Sequence, residues 1–248
     1  MRHLLAACLL STFTLQAHSD VTISPPPFAP FISQHPSPNC RGVIELLIDE
    51  LGKESGVAFN LSHRPYARII HQLTHGALDA ALIFKNPALL QQQSAQPSLI
   101  YLGPISRSEV VIISHQELAK YSDIYQLDTV ATIRKASFDE RFDSDHKVQK
   151  AQVESYRQGL KMFRSGRADA VIGSRIGLLN AIDSMAMPRE LLDYAYTLSA
   201  KEWGVHINRN SVSPTQLTQL ETAIEALYHP QLVLKRYQRL QAQSPECF

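Results

Sequence analysis

The chain has 248 residues, 44% of them hydrophobic, enough for one large domain or two lobes with packed cores. Its 24 basic and 23 acidic side chains leave a formal charge of +1 with no basic stripe, which excludes phosphate-backbone recognition and so nucleic-acid partners. Ten dispersed histidines and the absence of C-x-x-C argue against a metal site or any other cofactor.

The first residues, "MRHLLAACLLSTFTLQAHSD", combine the basic Arg2, an apolar run from Leu4 to Leu15 and small residues at Ala17 and Ser19. This reads as a secretory signal peptide over 1–19. The run is shorter than the roughly 20 residues that span a bilayer. "LAAC" at Leu5 to Cys8 matches a lipobox, but almost no apolar stretch precedes the cysteine, so lipid anchoring is set aside. A periplasmic, soluble mature chain from about Asp20 is expected. Cleavage there leaves Cys40 and Cys247, which an oxidising compartment permits to pair, or which stand as two lone thiols.

"VTISPPPFAPFIS" reads as a short strand entering a proline-rich turn, with Phe28 and Phe31 just beyond it. "GVIELLIDELGKESG" places Val43, Leu46, Leu47 and Leu51 at helical spacing and stops at Gly56. A strand from Val57 to about Leu61 follows. Tyr66 to Thr74 is an amphipathic helix with Ile69, Ile70 and Leu73 on one face, ended by Gly76, and "LDAALIF" is a buried strand. His71 and His75, at i and i+4 on that helix, have no third ligand in view and read as a solvated face. Lys85 to Pro104, rich in Gln and Pro, is expected on the surface, and "SEVVIIS" (Ser108 to Ser114) is the next strand.

The cycle then restarts: "TVATIRK" is a strand, "SFDERFD" a helical or turn segment, "KAQVESY" a strand, and "QGLKMFRSGRADAVIGS" a helix, glycine stop and buried strand. "IGLLNAID" adds a helix, "EWGVHINRN" a strand, and two amphipathic helices close the chain, from Pro214 to about Leu227 and over "PQLVLKRYQRLQ". The stretch from Tyr66 to Phe84 is thus echoed ninety residues later from Tyr156 to Ser174. Tyr, Gly (Gly76, Gly166) and Asp-Ala (Asp79-Ala80, Asp169-Ala170) recur at the same intervals. Helices alternating with short apolar strands predict an α/β fold of mainly parallel sheets flanked by helices. The echo predicts one such unit in each of two lobes.

These features together resemble the extracellular solute-binding proteins of family 3, the periplasmic amino-acid-binding type that serves ABC importers. The resemblance is carried by the leader, "PPFAPF" with "GVIELLIDELGKESG", "RPYARIIHQLTHGALDAALIF", "GRADAVIG" and "WGVHINRN", and covers almost the whole mature chain. It implies a two-lobed periplasmic-binding-protein-like fold (type II) with "SEVVIIS" and "KEWGVHI" as crossovers and a ligand cleft between the lobes. Lobe 1 would be 20–109 plus 204–248, and lobe 2 110–203. It further implies a monomer that captures a small-molecule ligand by hinge closure, with an inner-membrane ABC permease or a sensor as partner.

Carried over one residue at a time, the resemblance puts Phe28 where the family has an aromatic ring over the ligand and Tyr66 at another cleft-lining position. Ser137 matches a hydroxyl at the start of a lobe-2 helix; with Glu140 three residues on it also reads as a capping box. Two departures stand out. The carboxylate-binding Arg of the family would fall in "FKNPALLQQ", Phe84 to Gln92, which has none and leaves Phe84 as a ligand candidate there, and the ammonium-binding acid falls on Ser174, also counted as a candidate and followed by Arg175. Burying an ammonium without a carboxylate is costly. An organic anion held by one of the remaining cations, Arg64, Arg68, Lys85, Arg134 or Arg175, is therefore weighed beside an amino acid.

Transport and sensing share these features. A dehydratase-like enzyme on the same fold would need the acids of "SFDERFDSD", which are expected to cluster on a surface segment without a partner. No G-x-S-x-G, metal-binding helix motif or phosphate loop is present. A non-enzymatic binding protein is the reading.

Overall fold

A computed structural model describes residues 20–35, 37, 39–91 and 98–247, and the expected leader lies outside them. Two β-α-β-α-β units follow one another. The first is β1 (Val21–Ser24), α1 (Val43–Ser55), β2 (Phe59–Leu61), α2 (Tyr66–Thr74) and β3 (Ala80–Phe84). The second is β5 (Val130–Ile133), α4 (Glu140–Ser144), β6 (Lys150–Val153), α5 (Tyr156–Arg164) and β7 (Ala170–Ser174). Between them lie α3 (Pro87–Gln91) and β4 (Leu99–Ser114), and after them α6 (Arg175–Ser184), β8 (Tyr196–Asn208), α7 (Pro214–Leu227) and α8 (Leu232–Gln243).

All eight strands join in the order β2-β1-β3-β8-β4-β7-β5-β6. The flanks are parallel and the centre is antiparallel. β4 and β8 run alongside each other from Leu99 opposite Asn208 to Ile112 opposite Tyr196. The first unit joins one end of this ribbon, where β3 pairs with Trp203 to Ile207, and the second joins the other, where β7 pairs with Val110 to Ser114. Two half-sheets thus share one pair of crossing strands.

The echo has a physical cause. In both units a left-handed glycine, Gly76 (φ 67°) or Gly166 (φ 68°), ends a nine-residue helix. The closing bonds match: Gly76 N–H to Leu73 O and Ala77 N–H to Gln72 O, then Gly166 N–H to Phe163 O and Arg167 N–H to Met162 O. Three residues on, the Asp carboxylate accepts the N–H at the start of the neighbouring parallel strand, Thr22 N–H for Asp79 and Thr129 N–H for Asp169, both at 2.9 Å. Asp79 also accepts from Ser211 Oγ at 2.6 Å.

In the first half, α1 buries Val43, Ile44, Leu47, Ile48 and Leu51, each worth roughly 1.5–3 kcal/mol. α7 and α8 pack beside α1 and β4, an Arg236–Glu50 ion pair joins α8 to α1, and a disulfide fastens the tail's Cys247 to Cys40, ahead of α1.

Three segments depart from expectation. β8 begins at Tyr196 instead of Glu202, and β6 ends at Val153, leaving Tyr156 to open α5. Lys85 to Pro104 is not a surface connection throughout: α3 follows β3 directly, and β4 begins at Leu99 instead of Ser108. Gly103-Pro104 sits in a register shift between Leu102 and Ser106, with ladder pairing to β8 on both sides. Proline cannot donate to the ladder and so hides the continuity of the strand. No helix among the described residues is long and apolar enough to cross a membrane.

Candidate functional site

The crossing strands bring the ends of both units face to face. β1 runs into its prolines and presents Phe28, whose ring lies 5.8 Å from Phe31 and 6.2 Å from Tyr66, and meets Tyr156 of the second unit edge-on at 4.9 Å. Trp203, on β8, is fully buried between Phe31 (4.9 Å) and Phe84 (4.1 Å), and its Nε1–H donates to Ser108 Oγ at 2.8 Å. From the other side, Ile133, Ala136, Ser137, Phe138 and Tyr156 complete a small cavity of about 20 Å³. That is room for a water at most. In this conformation the two walls meet ring against ring. Beside them, sharing Phe28 and Tyr156, an open cavity of about 480 Å³ is lined by Gln34, His35, Arg157, Asn180, Ser184 and Glu246 among others.

Tyr156 is seated by two glycines: a Cβ on Gly173 or on Gly177 would come within 2.3 Å of its ring. Its hydroxyl accepts from Ser174 N–H at 3.3 Å and lies 3.4 Å from Ser174 Oγ. Burial raises the Tyr156 phenol above its ordinary range, and burial, then Tyr156 and Asp143, raises that of Tyr66. Both phenols are therefore neutral at ordinary pH.

A polar corner adjoins the rings. Ser137 Oγ donates to Asp143 Oδ2 at 2.8 Å, Phe138 N–H donates to the same oxygen at 3.0 Å, and Lys201 Nζ approaches Ser137 Oγ at 3.4 Å. Desolvation pushes the Asp143 carboxyl up although part of the residue stays exposed, and the bonds from Ser137 and Phe138 and the charges of Lys201 and Lys150 oppose this. Desolvation also pushes the half-buried Lys201 ammonium down.

Two expectations are corrected here. Ser137 does not cap a helix: α4 starts at Glu140, its cap is Asp139, which accepts Phe142 N–H at 3.0 Å, and Ser137, outside the helix, spends its hydroxyl on Asp143. The acids of "SFDERFDSD" do lie on a surface segment, with Glu140 and Asp143 exposed, but they are not without partners. Asp139 caps, Asp143 faces the cleft corner, and Asp145 accepts from the hydroxyls of Tyr121 (3.0 Å) and Tyr125 (2.8 Å).

Of the candidates read from the sequence, Phe28, Tyr66, Phe84 and Ser137 line the small cavity together. The others do not. Arg64 bonds Ser62 Oγ and Gln72 Oε1, Arg68 is exposed on α2, and Lys85 pairs with Glu202 at 3.7 Å. Arg134 pairs with Glu154 at 3.1 Å and Arg175 with Glu109 at 2.6 Å. Ser174 is buried as the cap of α6, accepting Gly177 N–H. Sequence reasoning missed Ile133, Ala136, Phe138 and Lys201, and weighed Asp143 only among the acids of "SFDERFDSD". For Lys201 a signal existed, since it stands two residues before Trp203 on a strand and so shares its face.

No family model matches the chain, and no curated protein does. Solved structures match over nearly its whole length. A histidine kinase sensor domain with similarity to periplasmic binding proteins superposes with a TM-score of 0.67 at 12% identity, covering 91% of this chain and 96% of that one. The periplasmic VFT2 domain of Bordetella pertussis BvgS gives 0.65 at 18%, covering 90% and 93%. The substrate-binding protein of an amino acid ABC transporter gives 0.62 at 13%, covering 91% and 98%. The chain has the two-lobed fold of the periplasmic amino-acid-binding proteins, an α/β architecture in which helices flank the sheet.

Proposed function

We propose that this chain is a periplasmic solute-binding protein that captures a small solute between two lobes, 20–109 plus 204–248 and 110–203, by hinge closure. The observation that carries this reading is the cavity between Phe28, Tyr66 and Phe84 on one side and Ile133, Phe138 and Tyr156 on the other, whose walls come from both halves of the sheet and meet where the crossing strands allow a hinge. A solute that bridges both walls favours the closed arrangement, and this preference is the signal handed to a membrane partner. The disulfide suits an oxidising compartment. Binding is favoured over catalysis because Asp143, the carboxylate beside the cavity, is already committed to Ser137 and Phe138.

Delivery to an ABC importer is the first reading of the partner. Sensing is the second, favoured by one observation: the Phe28–Tyr156 contact lets the protein's own rings hold the closed form, so that a solute could act by separating them. Both share one test. The chain from Asp20 onward is titrated with amino acids, dicarboxylates, polyamines and short peptides, following melting temperature and Trp203 fluorescence. A ligand at a hundred times its Kd stabilises by roughly 2.7 kcal/mol. A melting shift with a change at Trp203 supports the cleft, and a shift that leaves Trp203 silent places the ligand elsewhere.

A further inference from the structure

We propose that Lys201 anchors the carboxylate of a small organic acid whose flat apolar body lies against Trp203 and Phe84. This rests on the reading of the inter-lobe cleft as the solute site and names the class of solute. On β8, Ser199, Lys201 and Trp203 share one face. Ser199 Oγ donates to Phe138 O at 3.0 Å, Lys201 Nζ reaches Ser137 Oγ, and Trp203 forms the cavity wall. The face thus meets residues 137 and 138 directly, at the second-unit edge of the cavity. Lys201 is the one cation among the described residues with a hydrogen bond to a side chain lining the small cavity, and it also borders a neighbouring hollow with Lys85 and Arg107, both held by Glu202.

Its charge is under-satisfied. Lys85, Arg134 and Arg175 each have a carboxylate within ion-pair distance, whereas Lys201 has none among the described residues. Its three N–H donors face a single serine oxygen at 3.4 Å. Asp143 and Asp139 draw on it only at longer range, Lys85 opposes it, and Glu202 is shared by Lys85 and Arg107. A half-buried ammonium without a counter-ion is costly, and burial already works against its charge. A carboxylate arriving at the corner relieves that cost. The remaining wall, Phe28, Tyr66, Phe84, Phe138, Tyr156 and Trp203, offers ring faces and no second charge. The solute is therefore a monocarboxylate with an apolar or aromatic body, entering as the Phe28–Tyr156 contact parts.

The test uses the disulfide-bonded mature chain and calorimetric titration with benzoate, phenylacetate and 3-phenylpropanoate, each beside its neutral amide, and with phenethylamine. At least one acid should bind about tenfold more tightly than its amide, the value of one charge-assisted contact. Lys201→Met should bring acid and amide level, and Lys201→Arg should keep the preference. Lys201→Met binding the acid as the wild type does, or amide or amine binding as well as acid, overturns the anchor and leaves the cleft reading standing. Failure of every probe also overturns the anchor, and the broader panel with its Trp203 readout then judges the cleft itself.

Discussion

The unit from Tyr66 to Phe84 and the unit from Tyr156 to Ser174 share a scaffold and differ where they face each other. Helix length, left-handed glycine, closing bonds and the Asp that grips the neighbouring strand are the same in both. The cleft ends are not. β3 finishes in Ile83 and Phe84, and Phe84 packs on Trp203; β7 finishes in Gly173 and Ser174, which make room for Tyr156 and bond its hydroxyl. One unit contributes an aromatic wall. The other contributes a seat for the ring that closes against it. The residues that build a half-sheet are thus separable from those that line the cavity between the halves, and each difference can be attacked singly.

The largest asymmetry is the disulfide, which fastens only the first half. Cys40 and Cys247 are 207 residues apart, and loop closure of that size is worth about 5 kcal/mol. The Cys40→Ser, Cys247→Ser double variant should lose about that much in urea unfolding, and hydrogen exchange should quicken in α1 and α8 before α5. Equal loosening in both halves would break the comparison. A second asymmetry is His206, fully buried on β8 beside the first unit and pushed down to about 3 by burial, then by the Lys201 and Lys85 charges. An unfolded histidine takes up its proton near 6.5. Below that pH the unfolded chain binds a proton that the native state refuses, so stability is full above 6.5 and is lost as pH falls toward 3, by up to about 1.4 kcal/mol per unit. Urea midpoints from pH 7 to pH 4 should fall less for His206→Gln than for the wild type, and parallel curves would contradict the assignment.

Smaller effects sharpen the comparison at matched positions. Gly173→Ala forces a Cβ to within 2.3 Å of Tyr156 and should cost about 2 kcal/mol by overpacking. The corresponding site in the first unit carries Ile83 without conflict. Asp79→Ala should cost about 2 kcal/mol and Asp169→Ala about 1, because Asp79 holds Ser211 as well as a strand N–H. Equal losses in urea unfolding would mean that the Ser211 bond contributes nothing.

The scaffold was legible because its rules are local. Glycine after a helix, Asp-Ala before a buried strand, and apolar spacing fix both units without knowledge of the partner strand. β4 was half legible, since Gly103-Pro104 interrupts its pattern while β8 keeps it in the sheet from outside. The aromatic wall was partly legible through Phe28, Tyr66 and Phe84. The polar corner was not, because Asp143 and Lys201 lie 58 residues apart in sequence and meet only through Ser137, once β8 is folded back beside the second unit. Charge alone suggested five cations, and the structure engages four of them elsewhere, with carboxylates or, for Arg64, with Ser62 and Gln72.

The central claim is that one solute touches both units at once. Hydrogen exchange at backbone amides, with and without the tightest-binding carboxylate, tests it most directly. Simultaneous protection is expected at the start of α2 around Tyr66 and in the segment 133–138, together with the amides beside Tyr156. Protection of one wall alone, or of a surface remote from Trp203, would contradict it.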